Sequence, residues 1–300
     1  MEMRILTTIL LALGLAFGGS ISCRDDDDDR DGSGDGADGG NGNGSGNGTD
    51  GKLDPESCRF VDVVIAVDGS GSMKEELGAM RDVVFPAFAQ QLGDIADGLD
   101  DFRVATLDSC LSPANFHTRG VGGECNFEGG NAWINNSSSA MNQEFACVGD
   151  IYLADGNCTG NDDDEQPATA VVTALSDPWG SNENAGFLRE EALLVVIAIT
   201  DEDEQSTTYT NTQQIYDELI ALKGGDAEKI VFLGVGGSQQ CKGAYGEASP
   251  ATVLMQLTDM FKATNRGVWW DLCQGSLEDG LGEAFDIIEM ACEEFSIPVV

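Results

Sequence analysis

Short runs of branched apolar residues alternate along the chain with longer segments in which apolar residues recur at helical spacing. The short runs predict strands over residues 60–67, 102–107, 193–200, 229–235 and 268–272. The helical spacing predicts helices over residues 72–95, 212–222, 250–262 and 277–294. A run of β-branched residues is typical of a strand buried on both faces of a parallel sheet. The alternation therefore predicts a Rossmann-like, doubly wound α/β fold with a mostly parallel sheet flanked by helices.

One region interrupts this alternation. Residues 108–166 have little periodicity, are rich in Gly, Asn and Ser, and contain Cys110, Cys125, Cys147 and Cys158. A loop of this length inside a compact domain is usually functional or stabilised by its own cross-links. We therefore expect a disulfide-rich insertion at 108–166 within a domain that covers residues 55–300.

The N-terminal segment has the pattern of an export signal. Arg4 precedes an apolar run at residues 5–17 that is too short to span a bilayer comfortably and is followed by small residues. This predicts a signal peptide over residues 1–22, with a retained membrane anchor as the alternative. Residues 20–23 (Ser-Ile-Ser-Cys) resemble the cleavage box of bacterial lipoproteins. The resemblance implies lipidation of Cys23, and cleavage by an ordinary signal peptidase is the alternative.

The segment after the export signal has no large apolar residue before Leu53. Residues 23–54 are nearly all Asp, Gly, Asn and Ser, so they cannot bury enough surface to offset the entropy of ordering. We expect a disordered, lipid-anchored Asp/Gly/Asn-rich linker. The chain would then be an exported bacterial lipoprotein, held at a membrane by its lipid alone and facing the periplasm or the cell surface.

Charge and composition narrow the function. The chain has 53 acidic and 15 basic residues and a formal net charge of −38, which excludes a nucleic-acid binder that covers phosphates with a basic face. A single histidine, His117, makes histidine-based zinc sites and catalytic triads improbable. Nine cysteines indicate an oxidising compartment, and lipidation of Cys23 would leave an even number to form disulfides.

The positions of the cysteines suggest their partners. Cys58 and Cys292 lie where the chain enters the predicted domain and where it leaves it, so we expect them to pair. We expect Cys241 to pair with Cys273, and the four cysteines of the insertion to form two further bridges.

Candidate chemistry lies directly after the first predicted strand, in the pentapeptide Asp68-Gly-Ser70-Gly-Ser72. In open α/β sheets, ligands bind at this edge. A carboxylate and two hydroxyls in a glycine-permitted loop suit a hard divalent cation. The alternative is an ordinary glycine-rich turn with a serine that caps the following helix.

The sequence VVIAVDGSGSM, with a second apolar strand ending in Thr200-Asp201 (LLVVIAITD), resembles the von Willebrand factor type A (VWA) domain and its metal-ion-dependent adhesion site, or MIDAS. The resemblance implies that Asp68, Ser70, Ser72 and Asp201 bind Mg²⁺, with Mn²⁺ or Ca²⁺ as alternatives.

The family adds a threonine ligand from a separate loop. Thr169 lies where that threonine is expected, but the usual glycines before it are missing, and Thr173 is the alternative. Glu202 replaces a common glycine and makes the rim more acidic.

The resemblance also implies a function. If Asp68 is the only carboxylate bound directly, the other ligands are neutral hydroxyls, so the cation keeps a net positive charge and an open position that could bind an acidic side chain on a protein partner. We therefore expect a non-enzymatic adhesion or protein-binding module. One alternative is a structural, scaffolding domain without a bridging metal. The other is a metal-dependent hydrolase, which is disfavoured because no histidine lies near the motif and no general base is recognisable.

Overall fold

The computed structural model describes residues 59–96, 99–120, 122–149, 165–274 and 276–294. The predicted signal peptide, the lipidation site Cys23, the linker at 23–54, Cys58 and Cys158 lie outside the described residues.

A six-stranded sheet forms the centre of the domain, in the order β10-β7-β6-β1-β2-β5. Its five parallel strands are β1 (Phe60–Val67), β2 (Asp101–Asp108), β6 (Leu193–Ile199), β7 (Ile230–Gly236) and β10 (Gly267–Asp271). The edge strand β5 (Ile134–Asn135) pairs with β2 in the antiparallel direction. The predicted mostly parallel α/β fold is confirmed.

Helices cover both faces of this sheet. One layer consists of α1 (Lys74–Ala79), a π-helical turn (Met80–Val84), α2 (Phe85–Ala96), α3 (Met141–Gly149) and α7 (Leu277–Glu294). The other layer consists of α4 (Pro167–Leu175), α5 (Thr212–Ala221) and α6 (Thr252–Lys262). Among the described helices, none has both the length and the apolar character that a membrane span needs.

The strands are continuous apolar runs because each of their faces meets a helical layer. In β1, Val63 and Ile65 join the core beside α2 and α7, whereas Val64 and Ala66 join the core beside α4 and α6. Every residue of β6 and β7 is buried. Two-sided burial removes the polar positions that would otherwise alternate along a strand.

The first helix differs from its prediction. Residues 72–95 were expected to form one helix, but α1 and α2 are separated by the π-helical turn Met80–Val84. Met80 and Val84, in that turn, are both buried in the core.

The insertion is more ordered than its composition predicts. It contains short strands β3 (Arg119–Gly120) and β4 (Gly123–Glu124), the edge strand β5, and α3. Phe145 and Val148 of α3 pack into the same core as α2. The sequence pattern also missed α4, because all but one of its nine residues are buried and an amphipathic period is therefore absent.

One disulfide cross-links the insertion, and another joins the segment after β7 to the residues that follow the last strand. Cys125 is bonded to Cys147, and Cys241 is bonded to Cys273, the pairing expected from their positions. Cys110 and Cys292 are disulfide-bonded as well. The predicted pairing of Cys292 with Cys58 cannot be followed within the described residues.

A buried ion pair lies in β1. The Asp62 side chain is fully buried and its Oδ1 accepts a hydrogen bond from Arg189 Nε at 2.8 Å, while Arg189 is itself only 9% exposed. The backbone N–H of Arg189 also donates to Asp62 Oδ2 at 2.8 Å. The pair anchors the segment before β6 to β1.

We predict that Asp62→Ala lowers the free energy of unfolding by about 3–5 kcal/mol, because it leaves a buried guanidinium without its main partner. The matched control is Glu247→Ala, which breaks the exposed pair of Glu247 with Lys242 and should have no measurable effect. Urea unfolding of both variants measures the difference. If both variants lost the same free energy of unfolding, the buried pair would stabilise the fold no more than the exposed pair does.

Candidate metal centre

Adjacent parallel strands bring the two halves of the site together. Val67 of β1 is paired with Ile199 of β6, and the Asp68 N–H donates to the Ile199 carbonyl at 2.8 Å. Asp68 and Thr200 therefore leave neighbouring strands at the same edge. The chain runs from β1 to β2 on one side and later returns to β6 on the other, so this edge is a topological switch point, where α/β folds bind ligands.

The four residues predicted from the two strand ends lie in one hydrogen-bonded cluster. Asp68 Oδ1 accepts from the Ser70 N–H at 2.7 Å. The Ser70 and Ser72 hydroxyls share a hydrogen bond of 2.7 Å, and the Ser72 hydroxyl donates to Asp201 Oδ1 at 3.1 Å. Thr200 completes the cluster by donating from Oγ1 to Asp68 Oδ2 at 2.8 Å.

The chemistry of this cluster fits a hard divalent cation. Its side chains offer two carboxylates and two serine hydroxyls, which are oxygen ligands only. Burial raises the pKa of Asp68, and burial together with the charge of Asp68 raises the pKa of Asp201 to about 6. A bound cation would offset the repulsion between the two carboxylates. Ser72 is exposed whereas Asp68 is fully buried, so the cluster opens to solvent on the serine side.

The two candidate threonines differ in their contacts. Thr169 is fully buried near the start of α4, and its hydroxyl donates to Glu204 Oε1 at 2.6 Å. The Thr173 hydroxyl donates to the Thr169 carbonyl at 2.9 Å, within the helix itself. Thr169 is therefore the one that contacts the loop after β6. No hydrogen bond between described residues joins either threonine to the Asp68 cluster directly.

The loop after β6, residues 201–204, ties the site to two helices. Asp203 Oδ1 accepts from the Val253 N–H at 2.7 Å, at the start of α6. Glu204 accepts from the Ala168 and Thr169 N–H groups at 2.9 and 3.1 Å, at the start of α4. Carboxylates suit these positions because the first N–H groups of a helix have no partner within it. Sequence reasoning missed both capping roles, and the acidic run after the strand was the only signal for them.

A further acid lies beside the cluster. Glu76 of α1 is 1% exposed, and neither of its carboxylate oxygens has a hydrogen-bond partner in the described part of the chain. Burial, together with the charges of Asp201, Glu75 and Asp68, raises the pKa of Glu76 to about 7. The sequence places Glu76 in a predicted helix but gives no sign that it is buried.

The carboxylate of Glu76 lies under a hairpin formed by β8 (Cys241–Lys242) and β9 (Glu247–Ala248). Gly246, with φ of 153°, lies directly against it, and a β-carbon at that position would collide with the carboxylate. The Ser249 N–H, just after the hairpin, donates to the Asp201 carbonyl at 2.7 Å. The hairpin therefore packs against both the acid and the candidate ligand.

A second group of potential ligands lies beneath this hairpin. Cys241, Asp271 and Cys273 come together closely enough to hold a metal ion. The two sulfur atoms are bonded to each other, so they are not free thiolates. We assign no metal to this group.

The single histidine is nearer to the site than its position in the sequence suggests. His117 Nε2 lies 3.1 Å from Asp108 Oδ2, and Asp108 is paired with Val67 at the end of β1. His117 therefore lies at the same edge of the sheet as Asp68, one strand away. A long-range contact of this kind leaves no local sequence signal.

Comparisons with known proteins identify similar folds only. No protein-family profile and no curated protein sequence matches the chain. A crystal structure of proximal thread matrix protein 1 from the mussel byssus is 13% identical over 79% of this chain and 49% of that one, with a TM-score of 0.46. The chain thus spans about half the length of the mussel protein.

Two further structures carry a metal. The mussel protein with a zinc-occupied MIDAS motif is 14% identical over 79% of this chain and 49% of that one, with a TM-score of 0.45. Manganese-loaded TRAP protein from Plasmodium vivax is 13% identical over 79% of this chain and 74% of that one, with a TM-score of 0.39. Likeness at this level says nothing about the function of this chain.

We predict that Glu76→Gln stabilises the metal-free domain at pH 8. Because the pKa of Glu76 is raised from 4.5 to about 7, the folded state binds this proton more tightly than the unfolded state, so its contribution to stability is lost as pH rises through about 7. The neutral variant avoids that loss. Its melting temperature in EDTA should exceed that of the wild type by roughly 2–4 °C, the effect of about 1 kcal/mol in a domain of this size.

The control for this variant is Glu75→Gln, which removes a neighbouring acid whose side chain is exposed. It should change the melting temperature much less, and the advantage of Glu76→Gln should shrink at pH 5. An equal gain from both variants would mean that general repulsion, not the burial of Glu76, sets the effect.

Proposed function

We propose that the chain is a VWA-type domain that binds a divalent cation through Asp68, Ser70, Ser72 and Asp201 and uses it to hold an acidic side chain of a protein partner. The observation that carries the proposal is the single hydrogen-bonded cluster that these four residues form at the carboxyl edge of the sheet. Mg²⁺ is the proposed ion, with Mn²⁺ and Ca²⁺ as alternatives of the same ligand preference.

The charges of the donors explain why such a site would attract a carboxylate. Ser70 and Ser72 are neutral, and Asp201 accepts a hydrogen bond from the Ser72 hydroxyl, so with Asp68 as the only carboxylate bound directly a divalent cation would keep a net positive charge. A partner's carboxylate could bind to that charge at an open position of the ion, in spite of the acidic rim. The exposed Ser72 marks the side from which the partner would approach.

The net charge of the chain sets a condition on that partner. With −38 overall, the surface repels acidic proteins at long range, although salt at 0.15 M screens the field beyond about 8 Å. We propose that the partner carries basic residues around the acid that it presents, or that the protein works in high salt. The general excess of acids is then an adaptation for solubility.

We propose a non-enzymatic role, with a metal-dependent hydrolase as the second candidate. The observation that favours the hydrolase is the His117–Asp108 pair at the same sheet edge, because it offers a base that the sequence alone did not reveal. Turnover of an ester or phosphoester that requires Mn²⁺ and disappears in His117→Gln would favour the hydrolase over the binding module.

The proposed setting is a bacterial membrane surface. A signal peptide over residues 1–22, lipid on Cys23 and a linker over 23–54 would display the domain at 55–300 to the periplasm or to the outside. Only the sequence pattern supports this part of the proposal.

We predict that protein extracted from membranes begins at Cys23 and carries acyl chains. Mass spectrometry of the N-terminal peptide measures the added mass. Cys23→Ser should remain unprocessed or be released into the soluble fraction. A mature chain that starts elsewhere, with no lipid, would contradict the anchor and leave the cation site untouched.

We predict that Asp68→Ala lowers the affinity for Mn²⁺ by more than about 100-fold, because even residues that only support a metal ligand contribute about 10–100-fold. Ser72→Ala should weaken binding less, since it removes one neutral ligand. Calorimetric titration measures both. Capture of a protein partner should likewise require the cation and be abolished by EDTA.

The control for Asp68→Ala is Glu202→Gln, which removes a rim charge that has no hydrogen bond to the cluster side chains of Asp68, Ser70, Ser72 or Asp201 among the described contacts. Its affinity for Mn²⁺ should fall far less than that of Asp68→Ala, because Glu202 acts on Asp68 and Asp201 only through its charge. Unchanged affinity in Asp68→Ala would refute the ligand assignment, and partner capture that persists in EDTA would favour a scaffolding role.

A further inference from the structure

Glu204 receives all of its described side-chain hydrogen bonds from the first turn of α4. Its Oε2 accepts from the Ala168 N–H at 2.9 Å, and its Oε1 accepts from the Thr169 N–H at 3.1 Å and from the Thr169 hydroxyl at 2.6 Å. The Glu204 side chain is buried, and Thr169 is completely so. The helix does not cap itself, because Gln166 at its N-cap position accepts from the Thr207 N–H instead.

The direction of the hydroxyl bond has a chemical consequence. A threonine hydroxyl has one proton to donate and two lone pairs with which to accept or to bind a cation. Thr169 donates its proton to Glu204, so its lone pairs remain available on the other side of the oxygen. A hydroxyl that binds a cation through its oxygen needs a neighbouring acceptor, such as the Glu204 carboxylate, for its proton.

Glu204 and Asp201 belong to the same short loop, and that loop is held at several points. The Ser249 N–H donates to the Asp201 carbonyl at 2.7 Å, and Asp203 holds the start of α6 through the Val253 N–H at 2.7 Å. The position of the loop is therefore set independently of α4. Through Glu204, the loop in turn sets the position of Thr169.

We propose that Glu204 is a positioning residue of the cation site: it takes the proton of the Thr169 hydroxyl and so directs the oxygen of Thr169 toward the cation that Asp68 and Asp201 bind. The inference rests on the proposed function, since it concerns the same site. The loop after β6 would then contribute Asp201 to the site and would position Thr169 of α4 through Glu204.

A simpler role for Glu204 is to cap α4 and nothing more. Asn211 provides the matched comparison, because its side chain caps α5 by accepting from the Gln214 N–H at 3.1 Å and it lies outside the loop that positions the site. Loss of either cap should lower the melting temperature of the metal-free domain. Only loss of a positioning residue should also change the affinity for the cation.

The experiment compares the Mn²⁺ affinity of Glu204→Gln, Glu204→Met, Asn211→Ala and Thr169→Val by calorimetry, with melting temperatures in EDTA as the second measurement. Glu204→Met, which has no acceptor, should weaken Mn²⁺ binding about 10–100-fold, the usual effect of a group that orients a metal ligand. Glu204→Gln keeps one acceptor oxygen and should lose less, and it carries the test if the methionine variant does not fold. Asn211→Ala should lower only the melting temperature.

A double-variant cycle shows whether Glu204 acts through Thr169. In a Thr169→Val background, the Glu204 substitutions should cause no further loss of affinity. A further loss of the same size would overturn the proposal, and so would Glu204 variants that bind Mn²⁺ as well as Asn211→Ala does. Tighter binding by the Glu204 variants would also overturn it, because Glu204 would then hold Thr169 away from the cation.

Asp68→Ala, measured in parallel, separates this inference from the proposed function. If Asp68→Ala loses Mn²⁺ binding while the Glu204 variants keep it, only the role of Glu204 is wrong. If Asp68→Ala binds Mn²⁺ as the wild type does, the cation site itself is wrong.

Discussion

The parallel pairing of β1 with β6 is the constraint on which the candidate site depends. The register that places Val67 beside Ile199 brings Asp68 and Asp201 out of neighbouring strands at the same edge, although well over a hundred residues separate them in sequence. Both strands are buried on two faces, so a slip in register would disrupt the packing of their side chains against both helical layers. The packing of the core therefore holds the two carboxylates close together. Contacts made by the carboxylates themselves do not have to stabilise this arrangement.

Concentrating acids at one edge is costly, and the fold offsets the cost in different ways. Asp203 and Glu204 lie at the starts of α6 and α4, where free N–H groups favour a carboxylate. Asp68 is held by a backbone N–H and by the Thr200 hydroxyl, but its pKa is still raised by burial. Glu76 has no such partner among the described residues. Burial raises the pKa of Glu204 to about 7 as well, in spite of its hydrogen bonds, so Asp68, Asp201, Glu76 and Glu204 together form an excess of acid that a bound cation would offset.

The same edge also explains why a binding role fits better than a structural one. A purely structural cation is normally enclosed by its ligands, whereas here Ser72 is exposed and the β8–β9 hairpin forms a wall beside the cluster. The disulfide between Cys241 and Cys273 fastens that hairpin to the end of β10, so the wall is covalently fixed. In the proposed binding role, a rigid rim beside the cation site would suit the docking of a partner that presents an acid.

The sequence by itself determined the features that depend on neighbouring residues. The central apolar runs predicted β1 and β6, and the spacing of Asp68, Ser70 and Ser72 in one short loop predicted their convergence. It could not predict α4, since a helix buried on every side has no amphipathic period, and so it left Thr169 and Thr173 open. The contact of Thr169 with Glu204, the burial of Glu76 under Gly246 and the place of His117 beside Asp108 join segments far apart in the chain. Only the tertiary structure decided these three contacts. The packing of the whole sheet determines which distant side chains meet, and a local sequence pattern does not.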